Sequence, residues 1–377
     1  MRKATPALTA GLFVMILSAA WIPAAFAEDT VTLPCKSRCP GAGRVLELRE
    51  VFRISDGQSG FFFKSPENLQ PAPDGGLIVV DEGQLLRFDA SGKFVVNMFR
   101  QGQGPGELER IENYVTWGGD VLAFQRNPMK CVVTRLDGTF LREFKPDAPV
   151  FRLLGRYGDR LLAAMSSRIP VDKVQKPEGE MLDINWALQL MSDDGRVEAT
   201  SLVYPTKFFA KRLPNALIAD NVTFLLAAPV DDKLVAVANE GGYAIHIVDP
   251  ERNLVLRTIR RDYRPVKYEP EKTPDSDPGS RRSLAPPRDY FNDIQRLFVV
   301  DGSIWVVTST LEPGKGVLID VVSPAGENLD SFYLPLPKGV GLHALARYPL
   351  TISGRTVLVV EPLEDGRLQV VKYEIAG

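Results

Sequence analysis

The chain has 377 residues, 45 basic against 47 acidic side chains for a net charge of -2, and 45% hydrophobic against 24% charged residues. That balance provides a sizeable core and excludes disorder, and the lack of a basic excess excludes a nucleic-acid partner. Two histidines and three cysteines are too few for imidazole metal clusters or multi-cysteine zinc sites.

The N-terminal segment stands apart. Arg2 and Lys3 precede an apolar run over 8–20, and the small-residue frame Ala25-Phe26-Ala27 stands before Glu28. This is the pattern of a secretory signal peptide, which predicts cleavage after Ala27, a mature domain over 28–377, a periplasmic or secreted location and no membrane span after cleavage. An uncleaved anchor is the alternative, because the apolar run approaches the ~20 residues a span needs. Cys35 follows Leu33-Pro34 beyond the cut and cannot become a lipidated first residue. Cys35 and Cys39 predict a local disulfide in an oxidising compartment. Cys131, beside Val132 and Val133, reads as a buried free thiol.

Beyond the leader, short apolar runs recur between turn signals with no sustained helical period. Leu77-Ile78-Val79-Val80 follows Asp74-Gly75-Gly76, and strands over 85–88 and 94–99 flank Asp89-Ala90-Ser91-Gly92. The order returns at Gly118-Gly119-Asp120, with strands over 121–124, 131–134 and 139–144 and the turn Asp137-Gly138. Later units turn at Asp193-Asp194-Gly195, at 249–253 and at Ser323-Pro324-Ala325-Gly326. A sixth unit begins at Leu342 and offers strands over 344–348, 356–360 and 368–375, one short of four. The missing strand is supplied by 44–54, which alternates apolar and polar residues and belongs to no N-terminal unit. Repeats of roughly 45 to 70 residues with about four strands each predict an all-β, six-bladed β-propeller, its ring closed by that N-terminal strand.

The run Phe88-Asp89-Ala90-Ser91-Gly92-Lys93-Phe94, followed by Gly102-Gln103-Gly104-Pro105-Gly106-Glu107-Leu108, resembles the first blade of secreted bacterial six-bladed propellers of the NHL-like and TolB-like kind. The resemblance covers blades one and two closely and the later blades in pattern only. It implies a six-bladed ring outside the cytoplasm, and no activity comes with it, since most such proteins have none assigned.

Chemistry-bearing motifs are sparse. The glycines at 102–106 lack the G-x-G-x-x-G spacing or a Gly-Lys-Ser/Thr ending, and Pro105 removes a donor, so they predict a tight crossover between blades rather than a phosphate loop. There is no G-x-S-x-G, H-E-x-x-H or C-x-x-C. His246 alternates within a strand and reads as a packed or face-exposed strand residue, not a base.

Loop placement is more informative. The Asp-Gly turns share one face of the disc, and the long insertions over 169–185, 266–289 and 311–316 share the other, which makes that face the expected working rim. Where inner strands leave this rim an acid–amide pair recurs: Glu67-Asn68, Glu112-Asn113, Asp220-Asn221 and, reversed, Asn292-Asp293, with His343 in blade six. Such pairs either build turns by side-chain to backbone bonds or form a ring of hard oxygen ligands at the channel mouth, suited to calcium or to a polar ligand. The expected function is an exported, non-enzymatic binding or scaffold propeller taking a protein, peptide or glycan on the loop-bearing face. The alternative is a metal-assisted hydrolase similar in outline to gluconolactonase-type propellers.

Overall fold

The computed structural model describes residues 25–26, 29–33, 42–55, 60–167, 174, 176, 178–213, 216–269, 288–337, 341–347 and 349–376. The Cys35–Cys39 pair, most of the leader, the first part of the blade-three insertion and the centre of the 266–289 insertion lie outside them.

In chain order, β1 (Ala25–Phe26), β2 (Thr30–Thr32) and β3 (Leu48–Ser55) precede the blades. Blade one is β4 (Pro66–Pro71), β5 (Leu77–Asp81), β6 (Gln84–Phe88) and β7 (Phe94–Asn97). Blade two is β8 (Asn113–Trp117), β9 (Asp120–Arg126), β10 (Met129–Arg135) and β11 (Phe140–Phe144). Blade three is β12 (Arg152–Tyr157), β13 (Arg160–Ser166), β14 (Glu180–Met191) and β15 (Val197–Leu213), with a fifth strand, β16 (Ala216–Asn221). Blade four is β17 (Leu226–Pro229), β18 (Val235–Ala238), β19 (Ala244–Asp249) and β20 (Leu254–Arg260). Blade five is β21 (Ile294–Val300), β22 (Ser303–Glu312), β23 (Gly316–Val322) and β24 (Asn328–Leu334). Helix α1 (Leu342–Arg347) leads into blade six, β25 (Leu350–Ser353), β26 (Thr356–Pro362) and β27 (Leu368–Ile375).

The first strand of each blade lines the ring, and β3 pairs antiparallel with β27, from Leu48 opposite Ile375 to Ser55 opposite Gln369. The expected six-bladed ring and its closure by an N-terminal strand are both present. The closing strand starts later than 44–54 suggested, because Arg44 and Leu46 exchange backbone hydrogen bonds with Tyr333 of blade five instead. Further upstream, Thr30–Thr32 runs parallel to β20 of blade four. The N-terminal segment is thus a belt laid over the outer strands of three successive blades. Ion pairs follow it: Asp29 with Arg257 at 2.7 Å, then Arg44 with Asp330, then Arg49 with Glu374.

The middle strands are apolar on both sides because each blade is covered on both faces. Leu77 and Val79 face blade six, while Ile78 and Val80 face blade two. In blade four, Val235 and Val237 pack on blade three, and Ala236 and Ala238 pack on blade five. Six such layers fill the six junctions between neighbouring blades, and strand period two is what splits each run between two layers. Cys131 is free and buried in the layer between blades two and three, and burial pushes its thiol up to about 12.

Two expectations need correction. The run over 344–348 is not the inner strand of blade six; residues 342–347 form α1, and the strand is β25, starting at Leu350. The sequence Leu342-His343-Ala344-Leu345-Ala346-Arg347 has strong helix formers and no β-branched residue, its Leu342 and Leu345 are buried one turn apart, and Pro349 ends the helix. Asp220-Asn221 does not begin the inner strand of blade four. Both residues close β16, where they pair with Phe209 and Phe208, because the end of the long β15 would otherwise present an unpaired edge.

The G-x-G-P-G-E stretch is the blade-to-blade crossover it was expected to be. The Glu107 carboxylate turns back to accept the Gly104 amide at 2.9 Å, the Gly106 amide donates to Glu143 at 2.7 Å, and Lys130 donates to the Gly104 carbonyl at 2.8 Å. A Cβ at Gly102 would lie 2.0 Å from the Glu107 carboxylate, so a side chain there would displace that carboxylate from the Gly104 amide.

Candidate functional site

The long loops gather on one face because they join second to third strands or one blade to the next, and these connections leave the same edge of the disc. The 266–289 insertion has an ordered stem on that face: Lys267 pairs with Tyr290, the Tyr268 amide donates to the Asp289 carbonyl at 2.8 Å and the Phe291 amide to the Val266 carbonyl at 2.9 Å. The stem rests against α1. The rings of Tyr268, Phe291 and His343 form a triangle with centroids 5.0 to 5.2 Å apart, and Arg288 stacks over Tyr268 at 4.6 Å. His343 Nε2 lies 2.6 Å from the Glu269 carbonyl oxygen, which ties helix to stem.

This aromatic wall bounds a cavity of about 420 Å³ at the channel mouth, floored by Leu225, Leu226, Ile294 and Leu345. Of the residues singled out in the sequence, Asn221, Asn292 and His343 line it. Asn292 spends its amide on the Val222 carbonyl at 3.1 Å.

The other candidates go elsewhere. Asn113 is buried and exchanges bonds with Leu153 in the next blade, donating to its carbonyl at 2.7 Å and accepting its amide at 3.3 Å. Glu112 pairs with Arg110 at 2.6 Å and faces Arg126 at 3.6 Å. Asn68 sits at a bulge in β4 with φ +49°. Its neighbour Glu67 has a carboxyl held above the usual range by lost hydration first, then by Asp81, Glu112 and Glu82. Asp293 is buried, and desolvation pushes its carboxyl up to about 7 against the opposing hydrogen bond from the Tyr243 amide. The side chain of Asp220 lies outside the described residues, although its backbone is part of β16. Among the described residues no three His, Cys, Asp or Glu side chains are grouped to hold a metal ion.

Sequence reasoning missed the arginines. Arg152 at the start of β12 and Arg296 in β21 reach the same cavity from blades three and five. Arg152 donates to the Leu225 carbonyl at 3.2 Å and Arg296 to the Leu345 carbonyl at 2.9 Å. Arg152 is exposed to solvent and Arg296 is half-buried, and the charge of Arg152 bears on Arg296 with the same sign. Neither position carries a motif; a charged residue on an inner strand was the only available signal.

A second cleft, about 730 Å³, opens between blades three and four beside His246. Its charged groups are already matched: Lys207 with Asp183 at 2.6 Å and Arg260 with Glu240 at 3.4 Å. Of the two strand positions open to it, His246 takes the packed one, with Nδ1 3.0 Å from the Thr258 hydroxyl, and burial depresses its basicity.

No protein-family profile and no curated protein matches this chain. Solved structures do. A Bacteroides fragilis protein inferred to be exported superposes with a TM-score of 0.51 at 10% identity, covering 93% of this chain and 100% of that one. A member of the DUF4221 family from Bacteroides vulgatus gives 0.50 at 14% identity, covering 89% and 99%. At such identities the likeness is one of fold. No helix among the described residues is long and apolar enough to cross a membrane.

Proposed function

We propose that the protein is an exported, non-enzymatic binding propeller that docks a protein, peptide or glycan on its loop-bearing face, with the cavity beside α1 as the centre of the contact. The observation that carries this reading is the cavity itself. It lies on the face where the long insertions collect, and it joins an apolar floor, three packed rings and polar groups whose hydrogen bonds are incompletely used, the composition of a recognition site. The opposite face offers tight Asp-Gly turns whose carboxylates are consumed locally, as where Asp89 accepts the Ser91 and Lys93 amides at 2.9 and 3.0 Å.

The leader at 1–27 and the exported neighbour support export, and the glycine-rich crossover supports kinship with the NHL-like and TolB-like propellers. Cleavage after Ala27 would remove β1 and leave β2 against β20. Secreted or periplasmic protein should therefore begin at Glu28 by N-terminal sequencing; retention of Met1 would favour an anchored form.

Binding is tested with peptide and glycan arrays, comparing the parent with Phe291→Ala/His343→Ala and with Asp137→Ala on the opposite face. Ligands found for the parent should be lost by the first variant and kept by the second. The reverse pattern would overturn the choice of face.

A further inference from the structure

We infer that the cavity recognises an anionic group, a carboxylate or a phosphate, held between the guanidinium groups of Arg152 and Arg296. The inference deepens the reading above and rests on it for the face but not for the chemistry.

Arginine stays protonated in a protein, so a guanidinium that lines a cavity keeps its charge there. Both arginines line this one, Arg152 exposed and Arg296 half-buried with part of its hydration given up. Arg152 and Arg296 have no carboxylate partner among the described residues. Each donates to one backbone carbonyl, Arg296 Nε has no acceptor, and the charge that bears on Arg296 is that of Arg152, of the same sign. Among the described residues the one carboxylate lining the cavity, Glu240, is shared with Arg260 at 3.4 Å and His246 at 3.8 Å. Asp293 is buried next to the amide of Tyr243 and outside the lining.

Two like charges brought together from separate blades, over an apolar floor, form a site that an anion completes. A carboxylate or phosphate presents a pair of oxygens that matches the planar fork of a guanidinium. The backbone carbonyls of Leu225 and Leu345 hold the two side chains in place beforehand, which reduces the ordering cost of binding. The rings of Tyr268, Phe291 and His343 stand beside the site and would take the carbon portion of a larger ligand.

The test is titration calorimetry of the full exported chain with inorganic phosphate and, separately, with succinate, at chloride-matched ionic strength. The parent should give saturable heat with at least one probe, weakened tenfold or more in Arg152→Gln and in Arg296→Gln. The conservative Arg296→Lys keeps the charge but loses the fork and should fall between. Heat with phosphate alone identifies a phosphate site, and heat with succinate alone a carboxylate site. Circular dichroism melts without anion should show both glutamine variants folded and no less stable than the parent, an outcome that an arginine needed only for architecture would not give. Absence of saturable heat with both probes, or equal heat in an Arg152→Gln/Arg296→Gln double variant, overturns the inference. A failed array experiment would leave the anion result intact, so the two readings fail separately.

Discussion

Arg261 and Arg296 stand in neighbouring parts of the ring and meet opposite fates. Arg261, fully buried between blades four and five, is ion-paired with Asp320, itself fully buried. Asp320 also accepts the Tyr243 hydroxyl at 3.0 Å and the Ser331 hydroxyl at 2.8 Å, and the rings of Tyr243 and Tyr263 lie 5.6 and 5.7 Å from the guanidinium. Arg296 has a carbonyl oxygen and a second arginine. A network closed by its own buried carboxylate is architecture, since removing any member damages what remains. Arg296, half-buried with no carboxylate partner among the described residues, contributes less to the fold, and on the inference above it can take a group from outside.

The sharpest way to break the contrast is to open the closed network. Asp320→Ala should cost about 3 to 5 kcal/mol, because it leaves the Arg261 charge buried without its carboxylate; urea denaturation measures it, and a loss under about 1 kcal/mol would mean water or another group compensates. A mid-sized effect is expected at Asp293. Its folded value of about 7 exceeds the ordinary 3.8, so its contribution is full below pH 4 and is lost as pH rises to 7. Asp293→Asn should therefore match the parent near pH 4 and gain up to about 4 kcal/mol at pH 8; melts across that range decide it, and a constant difference would refute the raised value. The smallest effect is expected in the open network. Arg152→Met in anion-free buffer should lie within about 1 kcal/mol of the parent or above it, since it removes a repulsion as well as a bond.

The ring was legible in the sequence because strand period and turn chemistry are local. Leu77 to Val80 must alternate between two faces, and both faces must be covered, so an unbroken apolar run between turns already implies stacked sheets. The closing strand was legible because 44–54 alternates yet has no neighbour to pair with. The site was less so. Asn221, Asn292 and His343 were found through their position at loop boundaries, whereas Asn113 has the same position and serves a blade junction. Which role an asparagine takes depends on the residue opposite it in another blade, such as Leu153, and no local pattern encodes that. Arg152 and Arg296 were invisible for the same reason: their meaning is the missing carboxylate, a property of the assembled ring. Helix α1 was misread because its six residues fall where a strand was needed to complete the count.

The N-terminal belt has a consequence for how the chain reaches its native state. Its successive ion pairs, Asp29–Arg257, Arg44–Asp330 and Arg49–Glu374, join residues 228, 286 and 325 positions apart. The first strands to be synthesised therefore have partners that emerge among the last, and each step along the belt waits longer than the one before. Contacts of such high order form slowly, and a chain interrupted before β27 leaves β3 without a partner and the last junction uncovered. Completion of the ring thus reports completion of the chain, and exposed sheet edges on any shorter product offer proteases and chaperones a physical mark of incompleteness.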